Sequence, residues 1–163
     1  MAFRSDTRRR ISRTIDPPIV SWVFRVRDPL HYLILLRQPE LLRRLYEKVV
    51  IPDAVAGGLR VAGAPREVRD WMSDTPSWLA VVTVSDEEMA QVSDELDLGE
   101  RAAIAIAQRT RADLLLIDET AGRAEARRRS LRVTGTLGVL RAGAEAGLAR
   151  TDARPPHELS STQ

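Results

Sequence analysis

The sequence predicts an α/β fold with a central, mostly parallel sheet and helices on both of its faces. Three observations carry that prediction. Short apolar, β-branched runs recur along the chain; each is followed by a stretch with apolar residues at helical spacing; and Pro, Gly, Ser or Asp stands at the joins. Strands that alternate with helices return through a crossover rather than a hairpin, so they pair in parallel. At 163 residues with 44% apolar content, the chain can build one domain with a core.

The elements follow in order. "IVSWVFRV", residues 19–26, is β-branched and aromatic and reads as a first strand. "PLHYLILLRQPELLRRLYE" opens with Pro29 at a first helical position and is helical, with a break at Gln38-Pro39, because a residue preceding proline is disfavoured in the helical region. "KVVIP" is a short buried strand. "DAVAGGLRVAG" begins as a helix that Gly57-Gly58 weakens by roughly 1 kcal/mol per glycine. "APREVRDWM" is a short amphipathic helix and "WLAVVTV" a strand. Ser85 and Asp86 then stand where a helical turn is capped. "GERAAIAIAQRT" is helical, "ADLLLID" a strand, "TAGRAEARRRS" a helix, "LRVTG" a strand and "TLGVLRAGAEAGL" a last helix. The folded domain is expected over residues 19–149. Residues 1–18 read as a disordered basic leader and residues 150–163, with Pro155-Pro156, as a disordered tail.

Composition excludes several classes. No apolar run approaches the roughly 20 residues needed to cross a bilayer, and "MAFRSDTRRRISRT" lacks the apolar segment of a secretory signal, so no membrane role and a cytoplasmic location are expected. Cysteine is absent and the histidines are His31 and His157, which leaves no thiolate site and no histidine-rich zinc centre. A bound metal must be held by oxygen. The net charge of +2 does not mark a nucleic-acid binder, although "RRRISR" and "RAEARRRSLR" concentrate positive charge. Lys48 is the one lysine, a bias that the base composition of the source genome explains more simply than phosphate binding. His31 has no serine or acid placed for a triad, Trp22, Trp71 and Trp78 read as core or interface residues, and "GTLG" reads as a strand-to-helix turn rather than a phosphate loop.

Carboxylates supply the chemical signal. In "LLLIDETAGR", four apolar residues run into Asp118 and Glu119. Ligands of an open parallel sheet gather at the carboxyl ends of its strands, which is where Asp118 falls, and Glu100, starting the preceding helix, can face the same rim. Converging carboxylate oxygens suit Mg²⁺ or Mn²⁺ with water and substrate phosphate as further ligands. An alternative stays open on spacing alone: first-turn acids complement the helix dipole, and Glu100 and Glu119 can do only that.

Taken together, "LLRRLYEKVVIPDAV", "GAPREVRDWM", "LDLGERAAIAIA" and "ADLLLIDETAGRAEARRRSLRVTGTLGVL" resemble the PIN-domain proteins, in particular their VapC-like branch, over residues 29–149. The resemblance implies a three-layer α/β/α PIN-like fold, a Mg²⁺ or Mn²⁺ site of acidic residues, and endoribonuclease activity on single-stranded RNA, often as the toxin of a toxin–antitoxin pair. It carries Glu100 and Asp118 onto two acidic positions of the family and Glu119 onto an adjacent one. The family's first acid aligns with Val26, two residues before Asp28, which is either a helix N-cap or a displaced ligand. A second expected acid aligns with Gly58, and the sequence after "AGLA" also departs from the family's pattern. The implied catalytic set is therefore Asp28, Glu100 and Asp118, with Glu119 added as a metal ligand. Single-stranded RNA, an antitoxin protein and a second copy of the chain are the implied partners. The competing reading is a catalytically impaired PIN-like fold that binds protein or RNA.

Overall fold

The structure, a computed structural model, describes residues 29–148. The expected strand at 19–26, Asp28, the basic leader and the polar tail lie outside the described residues. Helix α1 (Pro29–Leu35) turns Leu30, Leu33 and Ile34 inward, the spacing of one helical face. It closes at Arg37, whose φ of 56° is left-handed, with the Gln38 amide bonded back to the Leu33 carbonyl at 2.7 Å. The break foreseen at Gln38-Pro39 separates it from α2 (Glu40–Leu45).

Strand β1 (Val49–Pro52) is buried throughout and leads into α3 (Asp53–Arg60), which buries Val55, Ala56 and Leu59. Both glycines of the weak pair lie inside α3, where its apolar face against α4 (Arg66–Ser73) and β1 offsets their low propensity. Strand β2 (Leu79–Val82) pairs in parallel with β1, Val49 opposite Leu79 and Pro52 opposite Val82. Ser85 caps α5 (Asp86–Ala90) in a reciprocal box with Glu88. The longest helix, α6 (Leu98–Thr110), buries every residue from Ala102 to Ala107. Its alanines let it approach both β1 and β3 (Leu115–Leu116), so it joins the two halves of the core.

Helix α7 (Thr120–Arg128) crosses from β3 to β4 (Val133–Thr134), which pairs with it in parallel, Leu115 opposite Val133. Helix α8 (Thr136–Glu145) returns over α1 and α2, and Gly143 fits against the Leu41 side chain. The α/β class and the parallel pairing are as expected, but the described strands form two ladders, β1-β2 and β3-β4, rather than one sheet. The expected strand "ADLLLID" shrinks to two residues because the chain leaves the ladder directly after Ile117, whose amide makes its last bond to the Thr134 carbonyl at 2.9 Å.

The two tryptophans within the described residues, Trp71 and Trp78, pack at a ring separation of 6.0 Å against the core, as core residues should. His31 lies half buried, edge-on to Tyr32.

Candidate functional site

Because β3 and β4 are parallel neighbours, both chains emerge at one edge: Asp118 follows β3, and Gly135 and Thr136 follow β4. Thr136 clamps Asp118. Its amide donates to Oδ1 at 2.9 Å and its hydroxyl to Oδ2 at 2.5 Å. Helix α8 begins after a glycine that has no side chain to cap it, so the carboxylate of the neighbouring strand end satisfies one of its open amides. Gly135 is required for this by space alone. Its φ of −130° suits any residue, but a Cβ there would run into Asp118 Oδ1.

Glu100 arrives from the other side. It is the third residue of α6 and shares a capping box with Asp97, its amide donating to Asp97 Oδ1 at 2.9 Å and its Oε2 accepting from the Asp97 amide at 3.3 Å. Its Oε1 reaches the first turn of α7, 2.7 Å from where a Cβ on Gly122 would sit, beside the Ile117 side chain. Thus Gly122 admits Glu100 as Gly135 admits Asp118, and both carboxylates come to the junction where β3 becomes α7.

Burial separates Glu100 from an ordinary cap. Glu88 fills the same role in the box of α5 with its side chain 29% exposed, whereas Glu100 is only 3% exposed. Capping needs no such burial, and taking a carboxylate out of water is costly.

The remaining expected residues stand as follows. Glu119 is the exposed N-cap position of α7 and makes no side-chain cap. Gly58 lies in α3 and brings no carboxylate, and Asp28 is outside the described residues. Among the described residues, no three acidic or histidine side chains form a group able to hold a metal ion.

Two participants escaped the sequence reading, Thr136 and Arg123. "GTLG" is the strand-to-helix turn expected of it, but nothing in its sequence ties Thr136 to a carboxylate 18 residues away. Arg123, in α7, donates from Nη1 to the Ile117 carbonyl at 3.1 Å, and the same nitrogen lies 3.1 Å from where a Cβ on Gly135 would sit. The signal was the pair of glycines at the two junctions, Gly122 and Gly135.

A sequence-family model for the PIN domain matches residues 27–157. The chain belongs to the PIN-domain family. No protein of established function matches it by sequence. Membership points to nuclease chemistry in general, to nucleic-acid binding and to the use of divalent metal ions. The matched segment contains Asp28, Glu100, Asp118 and Glu119. In this PIN domain the donors fit such an ion in kind: hard carboxylate oxygens of Asp118 and Glu100, each seated in the space that a glycine leaves. No helix of the described residues is long and apolar enough to cross a membrane.

Proposed function

We propose that this PIN domain is a divalent-metal-dependent endoribonuclease of the VapC-like branch, cutting single-stranded RNA at the junction of β3 and α7. The observation that supports it most is the burial of Glu100, whose carboxylate is held at that junction at a cost that its capping role does not require. Asp118 and Glu100 would be the first carboxylates to Mg²⁺ or Mn²⁺, with Glu119 and Asp28 as further donors, because the described acids as they stand do not form a group of three around one ion. When bound, such an ion neutralises phosphate charge and lowers the pKa of a water.

The chain's own residues do the rest. Thr136 fixes both oxygens of Asp118, so the carboxylate keeps one orientation while its remaining lone pairs stay open. The Asp97 amide fixes Glu100 in the same manner. Rigid placement matters because a weakly coordinating pair gains most from avoiding reorganisation.

A toxin role, with an antitoxin protein or a second copy of the chain as partner, and a cytoplasmic location belong to the same proposal. The second reading, an impaired PIN domain that only binds, draws on Gly58, which places no carboxylate where the family's pattern expects one. Cleavage of a labelled single-stranded RNA with Mn²⁺ separates the two. The nuclease reading expects slow cleavage that EDTA stops and that Asp118→Asn abolishes. Cleavage indifferent to both treatments would end it.

A further inference from the structure

Arg123 is a half-buried cation held by a backbone carbonyl. Its neighbours in the same basic run, Arg128 and Arg129, both pair with Glu125. For Arg123, no carboxylate of the described residues lies within ion-pair distance, and its one protein hydrogen bond goes to a neutral group, the Ile117 carbonyl. That carbonyl belongs to the last residue before Asp118. The anchored nitrogen lies 3.1 Å from the point where a Gly135 Cβ would sit, the same point that Asp118 Oδ1 crowds. The guanidinium therefore stands at the mouth of the acidic junction, fixed at one corner, with the other donors of its planar fork left to a ligand.

We propose that Arg123 is a phosphate-binding residue of this site, taking non-bridging oxygens of the single-stranded RNA backbone next to Asp118. The inference rests on the nucleic-acid reading of the junction and adds what that reading lacks. Asp118, Glu119 and Glu100 together repel a phosphodiester, and an arginine with no carboxylate partner among the described residues supplies the opposing charge where the backbone must pass. A fork pre-positioned by a carbonyl loses little rotamer freedom on binding, and a Cβ at 135 would crowd the anchored nitrogen.

The test uses the full chain carrying Asp118→Asn, so that binding is measured without cleavage. Fluorescence anisotropy of a labelled oligouridine is followed across a salt series for this parent and for versions adding Arg123→Gln or Arg123→Lys. Arg123→Gln should weaken binding about tenfold at low salt and reduce the slope of log K against log salt by about 0.7, the loss of one single-strand phosphate contact. Arg123→Lys should keep the slope and recover part of the affinity, because lysine keeps the charge but not the fork. An unchanged slope in a folded Arg123→Gln protein overturns the inference, as does Arg123→Lys losing the slope while folded, which would leave Arg123 a latch on Ile117. A parent that does not bind oligouridine overturns it too. If the parent binds but the wild-type chain never cleaves, the nuclease reading fails while the Arg123 slopes still decide this one.

Discussion

Replacing Gly135 with alanine tests the Asp118–Thr136 junction with a single methyl group. At φ −130° alanine meets no backbone strain, so the whole effect must come from the methyl entering the space held by Asp118 Oδ1. The carboxylate has to swing away, which breaks or stretches hydrogen bonds of 2.9 and 2.5 Å to Thr136, itself 9% exposed and poorly served by water. Hydrogen bonds to charged groups contribute about 1.5–3 kcal/mol each, and losing the better part of one leaves about 2 kcal/mol. Glycine-to-alanine replacement returns about 0.4–1 kcal/mol through the unfolded chain. The net is about 1–1.5 kcal/mol of destabilisation, or a fall in Tm of roughly 2–6 °C. Gly57→Ala is the matched control. It sits in α3 with nothing within 4 Å of its Cβ position, so the same substitution should raise Tm by roughly 2 °C. Thermal unfolding of both variants in EDTA reads these signs, and a Mn²⁺ titration of Gly135→Ala should show weaker binding than the parent. If Gly135→Ala melts at or above the parent temperature, Asp118 does not occupy the place described and the site built around it falls.

Three further outcomes are expected. Glu100→Gln keeps an oxygen for the Asp97 amide and removes only the charge, so Mn²⁺ affinity should drop about tenfold or more in calorimetry while circular dichroism stays native; undiminished affinity would reduce Glu100 to a cap. Gly58→Glu should tighten Mn²⁺ binding if that position of α3 corresponds to the family's missing acid, and an unchanged isotherm in a folded protein rejects the correspondence. Glu125 is buried between Arg129 and Arg128, which hold its carboxyl below the ordinary glutamate range. With the folded-state value depressed, its contribution is complete above the ordinary value of about 4.3 and is lost as pH falls through the lower one. Glu125→Gln should therefore lose about 2–3 kcal/mol at neutral pH by denaturant unfolding, with the gap to the parent closing in acid; a gap independent of pH would show that the charge contributes nothing.

The order of elements was legible because it rests on local signals that packing reinforces. The Ser85 cap, the break at Gln38-Pro39 and the alanine-rich helix all depend on residues within a turn of one another. The lengths of β3 and β4 were not legible. "ADLLLID" is uniformly apolar, and nothing local says that only two of its residues carry ladder bonds, since the limit is imposed by where β4 turns into α8. The site divides the same way. Asp118 and Glu100 stood out as charges at the ends of elements, while Thr136 and Arg123 are ordinary in sequence and acquire meaning through the contact of Thr136 with Asp118 and the closeness of Arg123 to Ile117 and Gly135.

That division bears on why the site takes this form. A carboxylate at a strand end is normally dispersed by water and free to rotate, and such a group is a poor ligand because ordering it consumes much of what binding gains. Here each carboxylate is ordered in advance by a helix start: Asp118 by the open amide of α8, Glu100 by the Asp97 amide that its Oε2 accepts in the box of α6. Glycines at 122 and 135 leave the space that the Glu100 and Asp118 carboxylates take up, which a Cβ would contest. Helix capping and ligand binding are thus not rival explanations of these acids. Capping fixes the geometry of each carboxylate through hydrogen bonds that leave its negative charge in place, and that charge is what a cation can use. A substitution that keeps the cap and removes the charge, as Glu100→Gln does, separates the two roles in a way that no deletion of the whole side chain can.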